Sequence, residues 1–290
     1  MKRPVPLALL SAVLVAGAAH AHQYWLTVSD HAPQPGETVV IGACSGTGFR
    51  GEARPWAADR CVDFSYTTFR RFALTPYTGE GDIVWGEQAA MDTLGTWVQY
   101  QSNFASIELP AAEFDDYLAQ EGLDGPRAAR GQLAQPTAGR ERYRRCCKAW
   151  LRGFDTRRAI QPLGQPLELV PRSLPGAGPT LRVRVLWRGA PLANALVKTW
   201  CQPFGADGAM RPATERDSVA VAEAVRSDAR GEVSLDVHAA GEWLVSTVRM
   251  IPVVDAAKTA PGTPAADWES TWASLTFARL ASDTTRRSTP

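Results

Sequence analysis

Histidine is scarce in this sequence, and net charge is almost absent. Four histidines occur among 290 residues, and 31 basic against 30 acidic side chains leave a formal charge of +1. A chain this close to neutral has no global field that would recruit nucleic acid or an anionic membrane. The few histidines leave little for acid–base catalysis, and no Ser/His/Asp spacing motif is visible, so we do not expect an enzyme.

Cysteine pairs with metal-site spacing are also missing. None of the five cysteines forms a C-x-x-C motif, which argues against a structural zinc site. In an oxidising compartment cysteines tend to pair, and an odd count leaves one over. We predict a Cys44–Cys61 disulfide, because both flank a glycine-rich loop and closing about 18 residues contributes about 3 kcal/mol. Cys201 with Cys146 or Cys147 is the second pair that we expect.

The chain lacks a membrane-spanning run after residue 21, since a spanning helix needs about 20 apolar residues. Before that point, a basic start, an apolar stretch and the small-x-small site Ala19-His20-Ala21 predict a signal peptide over residues 1–21. Cleavage there would make His22 the first residue of the mature chain. We therefore expect an exported, periplasmic protein with no direct membrane span.

An N-terminal histidine has distinctive chemistry. His22 would carry a free α-amine and an imidazole on one residue, and together they chelate a divalent transition metal such as copper or nickel. The alternative is that a histidine merely occurs at the cleavage site. His31 and His238 are the remaining histidines of the mature chain, and we expect both to be ordinary surface residues.

Strand-sized segments between glycine and proline turns dominate the mature chain. Thr96–Gln101 and Leu181–Leu186 alternate apolar with polar residues, as half-buried strands do. The fold predicted is mainly β, with two β-sandwich domains of immunoglobulin or prealbumin type. They cover residues 22–172 and 179–278, and residues 279–290 form a disordered tail.

Two helices are predicted as an insertion at about 110–152, at the end of the first sandwich. The first, residues 111–122, has acidic first turns and ends at Gly122. The second, residues 139–152, is bounded by glycines and is rich in arginine, which forms either a basic patch for a partner or a solvated face paired with the acidic helix. The side chains predicted to face inward are Phe114, Tyr117, Leu118, Tyr143 and Trp150.

Several blocks of the chain carry a family resemblance. They are His22–Leu26, Pro35–Glu37, Asn103–Pro110, Phe114–Leu123, Gly139–Tyr143, Pro162–Glu168 and Trp268–Phe277. With these blocks the chain resembles, from about residue 22 to 277, the domain of unknown function 4198, whose members are often labelled NikM-like nickel- or cobalt-uptake proteins. The resemblance implies an accessory protein for handling or uptake of nickel, cobalt or copper, with a membrane uptake system as its partner.

The sequence departs from this family at one informative place. Family members commonly carry a His-Met pair where this chain has Arg249-Met250. The Met250 thioether is then a second candidate metal ligand, whereas Arg249 is a permanent cation that repels a dication. One alternative to the metal accessory is a histidine-brace copper enzyme. Such a site needs a second imidazole, and this chain has Arg249 where the family commonly has the histidine. The other alternative to the metal accessory is a sandwich that binds a non-metal ligand or serves in adhesion.

Overall fold

The computed structural model describes residues 23–76, 81–89, 95–135, 137–153, 157–253 and 266–281. The predicted signal peptide, His22 and residues 282–290 of the predicted tail lie outside this part of the chain. The described residues are mainly β, which confirms the predicted fold class. No helix among them has the length and hydrophobicity needed to cross a membrane.

The described elements comprise seventeen strands and two α-helices. In chain order they are β1 (Gln23–Val28), β2 (Thr38–Thr47), β3 (Arg50–Ala53), β4 (Cys61–Thr67), β5 (Arg71–Ala73), β6 (Val84–Ala89), β7 (Thr96–Ser102), β8 (Ala105–Leu109), α1 (Ala111–Gln120), α2 (Asp124–Arg130), β9 (Gly139–Leu151), β10 (Leu167–Pro171), β11 (Thr180–Trp187), β12 (Ala190–Pro191), β13 (Leu196–Gln202), β14 (Glu223–Arg226), β15 (Glu232–Asp236), β16 (Gly241–Pro252) and β17 (Trp268–Arg279). Short 3-10 turns occupy Ala58–Arg60, Arg157–Ile160 and Ala213–Glu215. The predicted strands at Thr96–Gln101 and Leu181–Leu186 are confirmed as β7 and β11.

A nine-stranded sheet forms the middle layer. Its order is β14-β13-β16-β17-β9-β7-β4-β5, and β8 also pairs with β9. All its pairings are antiparallel except one, where β17 runs parallel to β9 from Trp268 opposite Glu141 to Thr276 opposite Ala149. This parallel pair joins strands of the predicted first domain to strands of the predicted second, so one sheet runs through both.

Two four-stranded sheets cover the faces of the middle sheet. One has the order β1-β2-β3 with β6 on β2, and the other has β10-β11-β12 with β15 on β11. Successive strand residues point to opposite faces, and β9 shows this directly. Cys147 and Ala149 pack in a cluster with Leu26 of the first small sheet, whereas Trp150 packs with Leu169 of the second.

The helix α1 is built and placed as its sequence predicts. Gly122 has φ +60°, and its N–H donates to the Ala119 carbonyl while that of Leu123 donates to the Leu118 carbonyl. This is a Schellman ending, which needs a left-handed residue at Gly122. The buried face of α1, formed by Phe114, Tyr117 and Leu118, packs on the middle sheet beside the first small sheet.

The predicted second helix is wrong, because residues 139–151 form the strand β9. Arginine, lysine and alanine are good helix formers, but intrinsic helix propensity is a weak preference that tertiary pairing overrides. β9 pairs with β17, β7 and β8. Packing layers cover both of its faces, and a strand buried on both sides has no simple two-residue hydrophobic alternation to reveal it.

The predicted disulfides are absent, since all five cysteines are free. Cys44 packs in a cluster with Trp25 and Phe49. Cys61 packs against a different cluster, the one that contains Leu26. Cys201 lies on β13, three strand steps from the cysteines of β9. At about 4.8 Å per step the separation is about 14 Å, twice what a disulfide spans.

Candidate functional site

The predicted metal ligands have different positions relative to the described structure. His22 lies outside the described residues, and β1 begins at the next residue, Gln23. Met250 lies on β16, is 2% exposed and packs among the residues of the α1 cluster, including Trp268 and Trp272. Its neighbour Arg249 is exposed.

β1 is fixed to the molecule along its whole length. One edge pairs with β2, from Gln23 opposite Gly46 onward. The other edge meets the middle sheet, where the Thr276 hydroxyl donates to the Leu26 carbonyl oxygen at 3.1 Å. The Cys147 thiol donates to the Tyr24 carbonyl oxygen at 3.5 Å. β1 is therefore attached along both edges, and the attachment begins within two residues of its first residue, Gln23.

Arg145 of β9 lies against the beginning of β1. Its guanidinium carbon is 4.8 Å from the ring centre of Trp272, 4.9 Å from that of Tyr143 and 5.9 Å from that of Tyr24. Such cation–π contacts hold an arginine without neutralising it. Its buried Nη1 has no hydrogen-bond partner among the described residues. The start of β1 thus faces a cation enclosed by aromatic rings.

Glu141 extends this region toward α1. The Tyr117 hydroxyl donates to Glu141 Oε1 at 3.3 Å, and the Ser270 hydroxyl donates to the same oxygen. Burial raises the pKa of Glu141 to about 7, although Ser270, Arg145 and Tyr117 each act to lower it. A carboxyl that titrates near pH 7 therefore links the helix to the middle sheet.

A second link between α1 and the sheet is a buried ion pair. Lys198 Nζ of β13 lies 2.7 Å from Glu121 Oε1, and both side chains are buried. Burial raises the pKa of Glu121, while the charge and hydrogen bond of Lys198 lower it in part. This pair positions the end of α1 and leaves neither charge available to a metal.

His31 is not the surface residue that we expected. It is 2% exposed, with Nδ1 2.8 Å from the Trp150 carbonyl oxygen and Nε2 3.3 Å from Glu242 Oε1. Both partners are acceptors, so both hydrogen bonds form only with the doubly protonated ring. The pKa of Glu242 is raised by burial but lowered more by His31 and Arg216, and the result lies below its usual value.

His31, Glu242 and Arg216 form a buried triad, and two of its members, Glu242 and Arg216, line a mostly apolar cavity of ≈ 340 Å³. Nothing in the sequence around His31 indicated the triad, because its members come from three distant segments. His238, in contrast, is exposed beside Asp236, as predicted.

The described residues contain no cluster of three or more His, Cys, Asp or Glu side chains that could hold a metal ion. The free cysteines are poor ligands in their present protonation state. Burial raises the pKa of the Cys147 thiol to about 12 and that of Cys44 to about 11. Metal ligation requires the thiolate, so burial disfavours both thiols as ligands.

The layered sheets make this a β-sandwich protein. The family described as "Domain of unknown function (DUF4198)" matches residues 19–250, and the chain belongs to that family. A comparison with curated proteins finds no match. Among solved structures, the D0-D1 domain of Intimin is similar at 9% sequence identity and a TM-score of 0.19, with 88% of this chain and 97% of that chain covered.

Proposed function

We propose that the protein is an exported periplasmic accessory that binds nickel, cobalt or copper through the amine and imidazole of a mature N-terminal His22 and serves a membrane uptake system. The observation that supports this most is the firm attachment of β1 from Gln23 onward. Cleavage after Ala21 would leave a single residue before that strand. A chelating residue so close to a rigid element loses little conformational entropy when a metal binds.

The charges near β1 favour an exchangeable site. Arg145 contacts Tyr24, two residues beyond His22, and this arginine stays charged at any physiological pH. Its field opposes a dication, and it also favours the deprotonated amine and imidazole that a metal needs. Arg249, the cation that the sequence emphasised, is exposed and screened by solvent. We expect modest affinity, which suits an accessory that releases its metal.

Met250 remains a predicted ligand, and its position gives it a competing packing role. The side chain is 2% exposed and lies in the cluster that also contains Trp272. A thioether ligand must reach the metal, whereas a packing methionine need only fill volume. Met250→Leu conserves that volume and removes the sulfur.

The experiment is a competition titration of mature protein with Cu(II), Ni(II) and Co(II), after intact mass has verified that the chain starts at His22. His22→Ala should weaken binding by at least about tenfold, which corresponds to 1.4 kcal/mol. His238→Ala removes an exposed histidine and is the matched control, which should leave the affinity unchanged. Met250→Leu tests the second predicted ligand, and weaker binding there would assign the thioether to the site. Binding should also fall below about pH 6.5, where the imidazole protonates. Unchanged affinity in His22→Ala would contradict the proposal.

A further inference from the structure

The hairpin between β4 and β5 ends in an exposed aromatic group. Thr67 pairs with Arg71, and the turn between them places Phe69 at the tip with 55% of its surface exposed. Behind it, Phe72 stacks on Tyr66 with ring centres 4.9 Å apart. Phe69 meets Phe72 edge-on at 5.8 Å. An exposed phenylalanine that packs on two further aromatic rings makes this part of the protein surface unusually apolar.

Arginines surround these rings. The Arg70 guanidinium carbon is 5.5 Å from the ring centre of Phe69 and 4.6 Å from that of Phe72. From the 3-10 turn beside the hairpin, the Arg158 guanidinium donates to the Phe69 carbonyl oxygen. This contact fixes the loop in the conformation that presents the ring. Ile160, on the same turn, adds a side chain that is 37% exposed.

The charge of this surface has one sign. We call Tyr66, Phe69, Arg70, Phe72, Arg158 and Ile160 the hairpin tip. No Asp or Glu occurs in residues 64–76 or 157–167, from which all six come. Arg71 is also exposed, but it is paired with Asp63. The hairpin tip therefore combines apolar rings with two arginines, Arg70 and Arg158, that pair with no carboxylate in the described part of the chain, although the whole chain is nearly neutral.

We propose that the hairpin tip docks on the surface of an anionic phospholipid bilayer. Aromatic rings partition into the interface between headgroups and acyl chains, and arginine side chains pair with lipid phosphates. Because the hairpin tip is positively charged, an anionic bilayer suits it better than a neutral one. The near-zero net charge of the chain makes the attraction local, so docking is reversible and depends on salt. The proposal is independent of metal binding.

The contributions can be separated by mutation. Phe69 is half exposed in solution and would bury its ring in the bilayer interface. Replacing it should therefore weaken partitioning of the protein onto the membrane by about tenfold. Removing one arginine near an anionic surface should weaken it by about fivefold. The control is Val62→Ala, because Val62 is 58% exposed and lies at the other end of the same strand β4.

The test is vesicle co-sedimentation of the mature full-length chain at about 0.05 M salt, where screening is weak. Vesicles of phosphatidylcholine with phosphatidylglycerol are compared with phosphatidylcholine alone. The wild type and Val62→Ala should bind the anionic vesicles equally, Phe69→Ala about tenfold less and Arg70→Gln about fivefold less. All the variants change exposed side chains, and circular dichroism verifies that they fold.

Three results would overturn the proposal. They are no binding to anionic vesicles, equal binding to both vesicle types, and wild-type binding by Phe69→Ala. Sedimentation velocity without lipid tests the other possible partner of the hairpin tip, a second copy of the chain. Association that depends on Phe69 there would assign the hairpin tip to a second copy of the chain instead of to a membrane.

Discussion

Replacing Glu141 with glutamine should change how stability depends on pH. Glu141 is 4% exposed and accepts hydrogen bonds from Tyr117 and Ser270. Burial raises its pKa from 4.5 to about 7 in the folded protein, whereas the unfolded chain keeps the ordinary value. Glutamine has nearly the same shape and an acceptor oxygen, but it cannot ionise.

The sign and size follow from proton linkage. The folded state holds its proton up to about pH 7 and the unfolded state loses it near pH 4.5. The contribution of Glu141 to stability is therefore complete below pH 4.5 and is lost as the pH rises to 7. Each pKa unit is worth 1.36 kcal/mol, so the loss is about 3 kcal/mol. Glu141→Gln should lack this loss.

The assay is urea unfolding of the mature protein, followed by tryptophan fluorescence between pH 4.5 and 8.5. The difference in unfolding free energy between Glu141→Gln and wild type should rise by about 3 kcal/mol across this window and then level off. Ser270→Ala removes a hydrogen bond that lowers the Glu141 pKa. Its own fall in stability should extend to higher pH. A difference curve that stays flat from pH 4.5 to 7.5 would refute the reasoning.

Two further predictions concern the buried structure. Lys148 and Glu168 form an ion pair at 2.9 Å with both side chains almost fully buried. Lys148→Met should lower the unfolding free energy by about 3–5 kcal/mol, because Glu168 is left unpaired, and adding Glu168→Gln should restore part of it in the same urea assay. Gly122→Ala should cost about 1–2 kcal/mol, since φ is +60° and the new Cβ would lie 2.9 Å from Leu196. An unchanged melting temperature in Gly122→Ala would show that the Schellman ending is unimportant.

The sequence correctly predicted those elements whose structure depends on residues that are close together in the chain. The acidic first turns and Gly122 predicted α1 to within a few residues, and alternation predicted β7 and β11. β9 was mistaken for a helix because its strand character comes from neighbours far along the chain. Its parallel partner β17 lies more than a hundred residues away. No pattern within residues 139–151 carries that information.

The candidate site also contains some features that neighbouring residues reveal and others that depend on distant parts of the chain. His22 was found because a cleavage motif and an N-terminal histidine are adjacent in the sequence. Arg145 was missed because its importance depends on Tyr24 and Trp272, which come from distant strands. Likewise, the carboxyl of Glu141 acquires its raised pKa only when α1 and β17 close over it. Long-range burial, which creates such groups, leaves no mark on neighbouring residues.

The proposed function requires that the α-amine of His22 binds the metal. The most direct test compares the Cu(II) affinity of the mature protein with that of the same protein acetylated on the α-amine of His22. Acetylation turns the amine into an amide, adds no new amine and keeps the imidazole, so the chelate loses one donor. The Cu(II) affinity should fall by at least about tenfold when the α-amine is blocked. Equal affinity in the two proteins would contradict it.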